Sequence, residues 1–123
     1  MQPLIHRPDP STEYETPERC RILKLWDDHR DGAVSIARAT VQPGVTTQPH
    51  RLRGVDERYL VLSGTGVVTL GAMAPQQVIP GDVVVIPAGT AQQVSNTGDT
   101  ELVFYCICTP RFSPDCYESL DCV

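Results

Sequence analysis

The chain has 123 residues, 41% of them hydrophobic and 20% charged, a balance that fits one globular domain and excludes fibres and low-complexity disorder. Ten Lys and Arg stand against 15 Asp and Glu for a net charge of −5, and without a block of clustered cations no nucleic-acid partner is expected. The longest strongly apolar run is Val83–Ile86, far short of the roughly 20 residues of a membrane-spanning helix, so no membrane partner is expected either.

The region around Pro3, Pro8 and Pro10 lacks the apolar core of a signal peptide. Cys20, Cys106, Cys108, Cys116 and Cys122 are an odd set without disulfide-framework spacing. Both features predict reduced thiols in a cytoplasmic setting. Cys106-x-Cys108 reads as two small buried hydrophobes rather than a soft-metal pair.

Taken in chain order, residues 1–13 read as a flexible N-terminal arm and residues 14–123 as a single domain. Thr16-Pro17-Glu18 has the form of a helix N-cap followed by proline. Arg21–Trp26 nevertheless suits an outer strand, and the strand is the preferred reading. Short β-branched or apolar runs follow at 33–41, 58–62, 66–70, 77–79, 83–86, 92–96 and 102–108. Turn chemistry separates them at Pro43-Gly44, Ser63-Gly64, Pro80-Gly81-Asp82, Pro87-Ala88-Gly89 and Asn96-Thr97-Gly98-Asp99. Such punctuation predicts an all-β barrel or sandwich. Ser113-Pro114-Asp115 before Cys116–Leu120 predicts a short C-terminal helical turn.

Strand alternation puts His50 and Leu52 on one face, Glu57, Tyr59 and Val61 on another, and Gln92, Val94 and Asn96 on a third. Turned inward together, these faces bring an imidazole, a carboxylate and an amide into an otherwise apolar lumen. Such a set suits Fe²⁺, Mn²⁺, Ni²⁺ or Zn²⁺. The same groups also suit a hydrogen-bonded core network, or a metal-free acid–base pair of His50 and Glu57. Tyr59 is a candidate proton donor or an aromatic core residue. Arg38, in the middle of a strand with apolar residues on both faces, either clamps an anionic group inside the pocket or points to solvent. Whether Tyr105 or its neighbours Phe104 and Cys106 face the lumen is left open by alternation. His6 and His29 read as solvated.

Gly44-x5-His50-x-Leu52-x4-Glu57-x6-Gly64 is followed, after 16 residues, by Gly81-x5-Pro87-x-Gly89-x2-Gln92-x3-Asn96. In order and spacing these resemble the two motifs of the cupin superfamily, G-x5-H-x-H-x3–4-E-x6-G and G-x5-P-x-G-x2-H-x3-N. The overall pattern is similar to the small stand-alone cupins often labelled mannose-6-phosphate-isomerase-like. The resemblance implies an all-β, jelly-roll-like cupin barrel that pairs as a homodimer, with a divalent transition metal (Fe, Mn, Ni or Zn) on His50, Glu57 and Gln92. Leu52 and Gln92 replace the two other histidines of the pattern. On the strand reading, Glu57 and Tyr59 are the candidate catalytic groups, and Leu52, Tyr59 and Arg38 the candidate substrate pocket. Two functions follow. One is a metal-dependent isomerase, lyase or dioxygenase acting on a small anionic or hydroxylated metabolite. The other is a metal-free cupin that binds a small metabolite as a sensor or storage module.

Overall fold

Alternating burial organises the chain. Along Asp56–Ser63 the buried residues are Glu57, Tyr59 and Val61, every second position, while their neighbours face outward. The computed structural model describes residues 1–120, and among them the elements are strands and two short 3-10 turns. The strands are β1 (Tyr14–Glu15), β2 (Arg21–Trp26), β3 (Ser35–Val41), β4 (His50–Leu52), β5 (Asp56–Ser63) and β6 (Gly66–Leu70). They continue with β7 (Gln76–Val78), β8 (Val83–Ile86), β9 (Gln92–Ser95), β10 (Leu102–Thr109) and β11 (Tyr117–Ser119).

Two antiparallel sheets result, one in the order β1-β2-β3-β10-β5-β8 and one in the order β11-β4-β9-β6-β7. Val41, Val61, Ile86, Val94, Leu102 and Phe104 are buried in the main core. A smaller cluster of Leu52, Val55, Cys108 and Cys116, with Phe112 and Tyr117 against it, lies apart from that core. The expected all-β barrel is therefore the observed architecture, and the strand at Arg21–Trp26 is present in place of a helix.

Two motif positions are structural. Gly64 adopts φ +79°, and a Cβ there would overlap the Glu101 carbonyl oxygen and come within 2.9 Å of Leu102 Cα; the turn that carries the chain from β5 to β6 in the other sheet and the close approach both require glycine. Asn96 follows β9 with its amide nitrogen donating to the carbonyls of Val41 and Thr100, both at 2.8 Å. Its side-chain oxygen accepts from the Gly98 backbone N–H at 2.9 Å. One buried side chain thus ties a turn after β9 to β3 of the opposite sheet.

The expected short C-terminal helical turn is present, but it is shorter than Ser113–Leu120 suggests. The 3-10 turn covers only Pro114–Cys116, and Ser113 makes no side-chain cap. Tyr117–Ser119 instead forms β11, pairing Tyr117 with Leu52 and Ser119 with His50. Pairing satisfies the outer edge of β4, which would otherwise expose its backbone donors and acceptors. In the N-terminal segment, Asp9 caps a 3-10 turn at Pro10–Thr12, and exposed His6 sets its ring edge-on to Trp26 at 5.7 Å.

Candidate functional site

A cavity of about 140 Å³ opens between the sheets, and His50, Leu52, Glu57, Tyr59 and Val94 are among its lining residues. His50 and Gln92 are directly opposite each other on β4 and β9. Glu57 and Tyr59 come from β5 in the other sheet. All four side chains are buried, so the three faces inferred from alternation do turn inward. On β10, Phe104, Cys106 and Cys108 line the cavity and Tyr105 does not.

Hydrogen bonds connect these groups. The Tyr59 hydroxyl donates to the Gln92 side-chain oxygen, and the Cys108 thiol approaches Glu57 Oε2 at 3.7 Å. The other oxygen, Glu57 Oε1, is buried without a hydrogen-bond partner. Burial pushes the Glu57 carboxyl above the usual carboxylate range, with His50 and the Gln92 amide opposing the shift. The Tyr59 phenol is pushed well above its ordinary value by burial and then by Glu57, so it remains a neutral donor. Burial also pushes the Cys20 thiol up to about 11; an inert buried thiol is the result.

Residues outside the two motifs complete the site. Glu18, in the turn between β1 and β2, places Oε2 3.1 Å from His50 Nδ1. Tyr117 stacks on the His50 ring at a centroid distance of 4.9 Å. Burial raises the Glu18 carboxyl, and His50 counteracts it. Arg38 is absent from the lining; its guanidinium pairs with Glu13 at 3.3 Å and is partly exposed. From β3 the cavity is lined by Ser35, Ile36, Ala37 and Ala39, and the Arg38 side chain is directed to Glu13 instead.

Donor chemistry tests the expected cation. Leu52 offers only carbon, and Gln92 offers a neutral amide oxygen with one of its two lone pairs already taken by Tyr59. Of the expected set only the His50 imidazole and the Glu57 carboxylate are strong donors, fewer than the three His, Cys or carboxylate ligands a catalytic metal site keeps. Among the described residues no cluster of three His, Cys, Asp or Glu side chains is arranged to hold a metal ion. The set does not fit a resident three-ligand cation.

The family model of the cupin domain matches residues 37–108. The chain belongs to the cupin family. This cupin is 32% identical over 87 residues to the uncharacterized protein MJ1618 of Methanocaldococcus jannaschii, an alignment covering 71% of this chain and 69% of that one. Its fold matches a predicted oxalate decarboxylase of Thermotoga maritima with a TM-score of 0.75 at 22% identity, over 85% of this chain and 99% of the other. It also matches the Streptomyces nucleoside dehydratase Pac13 with a TM-score of 0.78 at 14% identity, over 98% and 94% of the two chains. No helix among the described residues of this cupin is long and apolar enough to cross a membrane.

Proposed function

We propose that this cupin is a small-molecule enzyme that moves protons on an uncharged, hydroxylated metabolite in its lumen, in a lyase- or isomerase-type reaction that needs no metal. The observation that carries the reading is Glu57: a buried carboxyl at the cavity, raised by burial, with Oε1 unpartnered. A carboxyl raised by burial keeps its proton to higher pH and is the stronger base once ionised. An unpaired buried acceptor is also costly until a ligand N–H or O–H meets it.

His50 and Glu57 are the acid–base pair. One takes a proton from the substrate while the other returns one, so no net charge accumulates. Tyr59 holds Gln92, whose amide in turn lowers the cost of ionising Glu57. The one lysine or arginine among the lining residues, Lys24, is paired with Asp27 at 3.6 Å, so the lining presents no free cation to an anionic substrate, which favours a neutral one. A nucleoside dehydratase and a predicted oxalate decarboxylase share the fold, which supports lyase-type chemistry.

The test is untagged protein incubated in D2O with neutral sugars, polyols and nucleosides, uridine included. Mass spectrometry reads loss of water or uptake of deuterium. The reading expects turnover by the wild type and none by Glu57→Gln. Turnover retained in Glu57→Gln, or stoichiometric metal lost from both His50→Ala and Glu57→Ala, contradicts it. Binding without any turnover supports a metabolite-binding module instead.

A further inference from the structure

The turn between β1 and β2 is built more tightly than a connector requires. The Thr16 N–H donates to the Cys20 carbonyl at 2.9 Å, and the Arg19 N–H donates to the Thr16 carbonyl at 3.1 Å. The Thr16 hydroxyl donates to the Cys20 carbonyl as well, at 2.9 Å. Arg19 takes φ +71°, a conformation that residues bearing a Cβ adopt sparingly and that needs surrounding structure to hold it. The turn is also fastened to the segment that leads into β4 of the opposite sheet, because the Gln48 N–H donates to the Glu18 carbonyl at 3.0 Å. These contacts deliver one side chain, Glu18, to one target, His50.

The target is met at a single atom. His50 Nδ1 lies 3.1 Å from Glu18 Oε2 and 3.2 Å from the Gln48 carbonyl oxygen. A carbonyl oxygen has no proton to give, so a nitrogen between these two oxygens satisfies both only by donating. Stacking on Tyr117 holds the ring plane. A neutral His50 is therefore protonated on Nδ1, opposite to the tautomer that free imidazole side chains prefer in water. The other nitrogen, Nε2, is left with its lone pair.

We infer that Glu18 is a positioning residue: together with the Gln48 carbonyl it locks His50 in the Nδ1–H tautomer and makes Nε2 the basic atom of the site. The inference deepens the acid–base reading and rests on it for the use of Nε2; the tautomer itself is observable without any substrate.

The experiment uses the full chain labelled with ¹⁵N and records long-range ¹H–¹⁵N spectra of the histidine rings. It is run at about pH 8, above the ordinary imidazole range. The His50 signals are identified by their loss in His50→Asn. Wild type is expected to show only the Nδ1–H pattern. Glu18→Gln keeps that pattern because its amide oxygen still accepts. Glu18→Met, of similar length without an oxygen, gives a mixture of tautomers. An Nε2–H pattern in wild type overturns the inference. So does an unchanged pattern in a folded Glu18→Met, which would leave the Gln48 carbonyl acting alone.

Should Glu18→Met not fold, the Nδ1 proton of Glu18→Gln carries the same test. It moves upfield once the acceptor loses its charge, and an unmoved proton overturns the inference. Loss of the tautomer lock with turnover still abolished by Glu57→Gln removes this inference alone. The reverse result removes the acid–base reading and leaves Glu18 in place.

Discussion

The Tyr59 hydroxyl on β5 donates to the side-chain oxygen of Gln92 on β9, a bond that crosses the lumen from one sheet to the other. Both residues are buried, and the bond takes one of the two lone pairs of the Gln92 side-chain oxygen. Tyr59→Phe keeps the ring against Phe104, now at a centroid distance of 4.5 Å, but removes the donor. The variant should lose about 1–3 kcal/mol of stability in urea unfolding, the cost of one buried unsatisfied acceptor. A loss under about 0.5 kcal/mol would show that Gln92 finds another donor.

The second prediction concerns pH. Burial raises the carboxyls of Glu57 and Glu18, so the folded chain holds protons that the unfolded chain has released. Their contribution is fully present below the unfolded carboxyl value and is lost as pH rises through the higher folded value. Exposed Glu101 and half-buried Glu118, lowered by side-chain hydrogen bonds to Gln42 and Arg51 respectively, act in the opposite direction. The difference between wild type and Glu57→Gln isolates the effect of Glu57. In urea unfolding from about pH 4 to about pH 8, the stability of Glu57→Gln relative to wild type should increase with pH and then level off. A difference that stays flat contradicts the buried, raised carboxyl.

Gly64→Ala tests the barrel rather than the site. The new Cβ meets the Glu101 carbonyl and Leu102 Cα at a positive φ, so strain and overlap add. The variant should lose roughly 2–4 kcal/mol by thermal or denaturant unfolding. A neutral outcome would mean that the turn re-forms in another geometry.

What could be read before the fold was known divides along a physical line. Gly44, Gly64, Gly81 and Gly89 all take positive φ, and turn geometry is local, so spacing alone reveals it. His50 and Glu57 line the lumen and Gln92 is buried beside them because a period of two sends each inward, which is also local. Glu18 and Tyr117 were not legible: they reach His50 through a tight turn and a strand pairing that no motif encodes. Cys108 meets Glu57 through the register of β10 on β5, a long-range property. Arg38 stayed ambiguous because both faces of β3 are apolar, and only its pairing with Glu13 settles its direction. Residues 116–120 suggested a helix because the open edge of β4 has no sequence signature.

The central claim, that Glu57 is a metal-free and protonatable acid–base group, is tested most directly by its own titration. Chains carrying ¹³C-labelled glutamate, with the Glu57 signal assigned by its absence in Glu57→Gln, report the carboxyl shift against pH. The account predicts a midpoint above the ordinary glutamate value of about 4.3, unchanged by chelator. A midpoint at or below that value, rising only after metal is stripped, would contradict it.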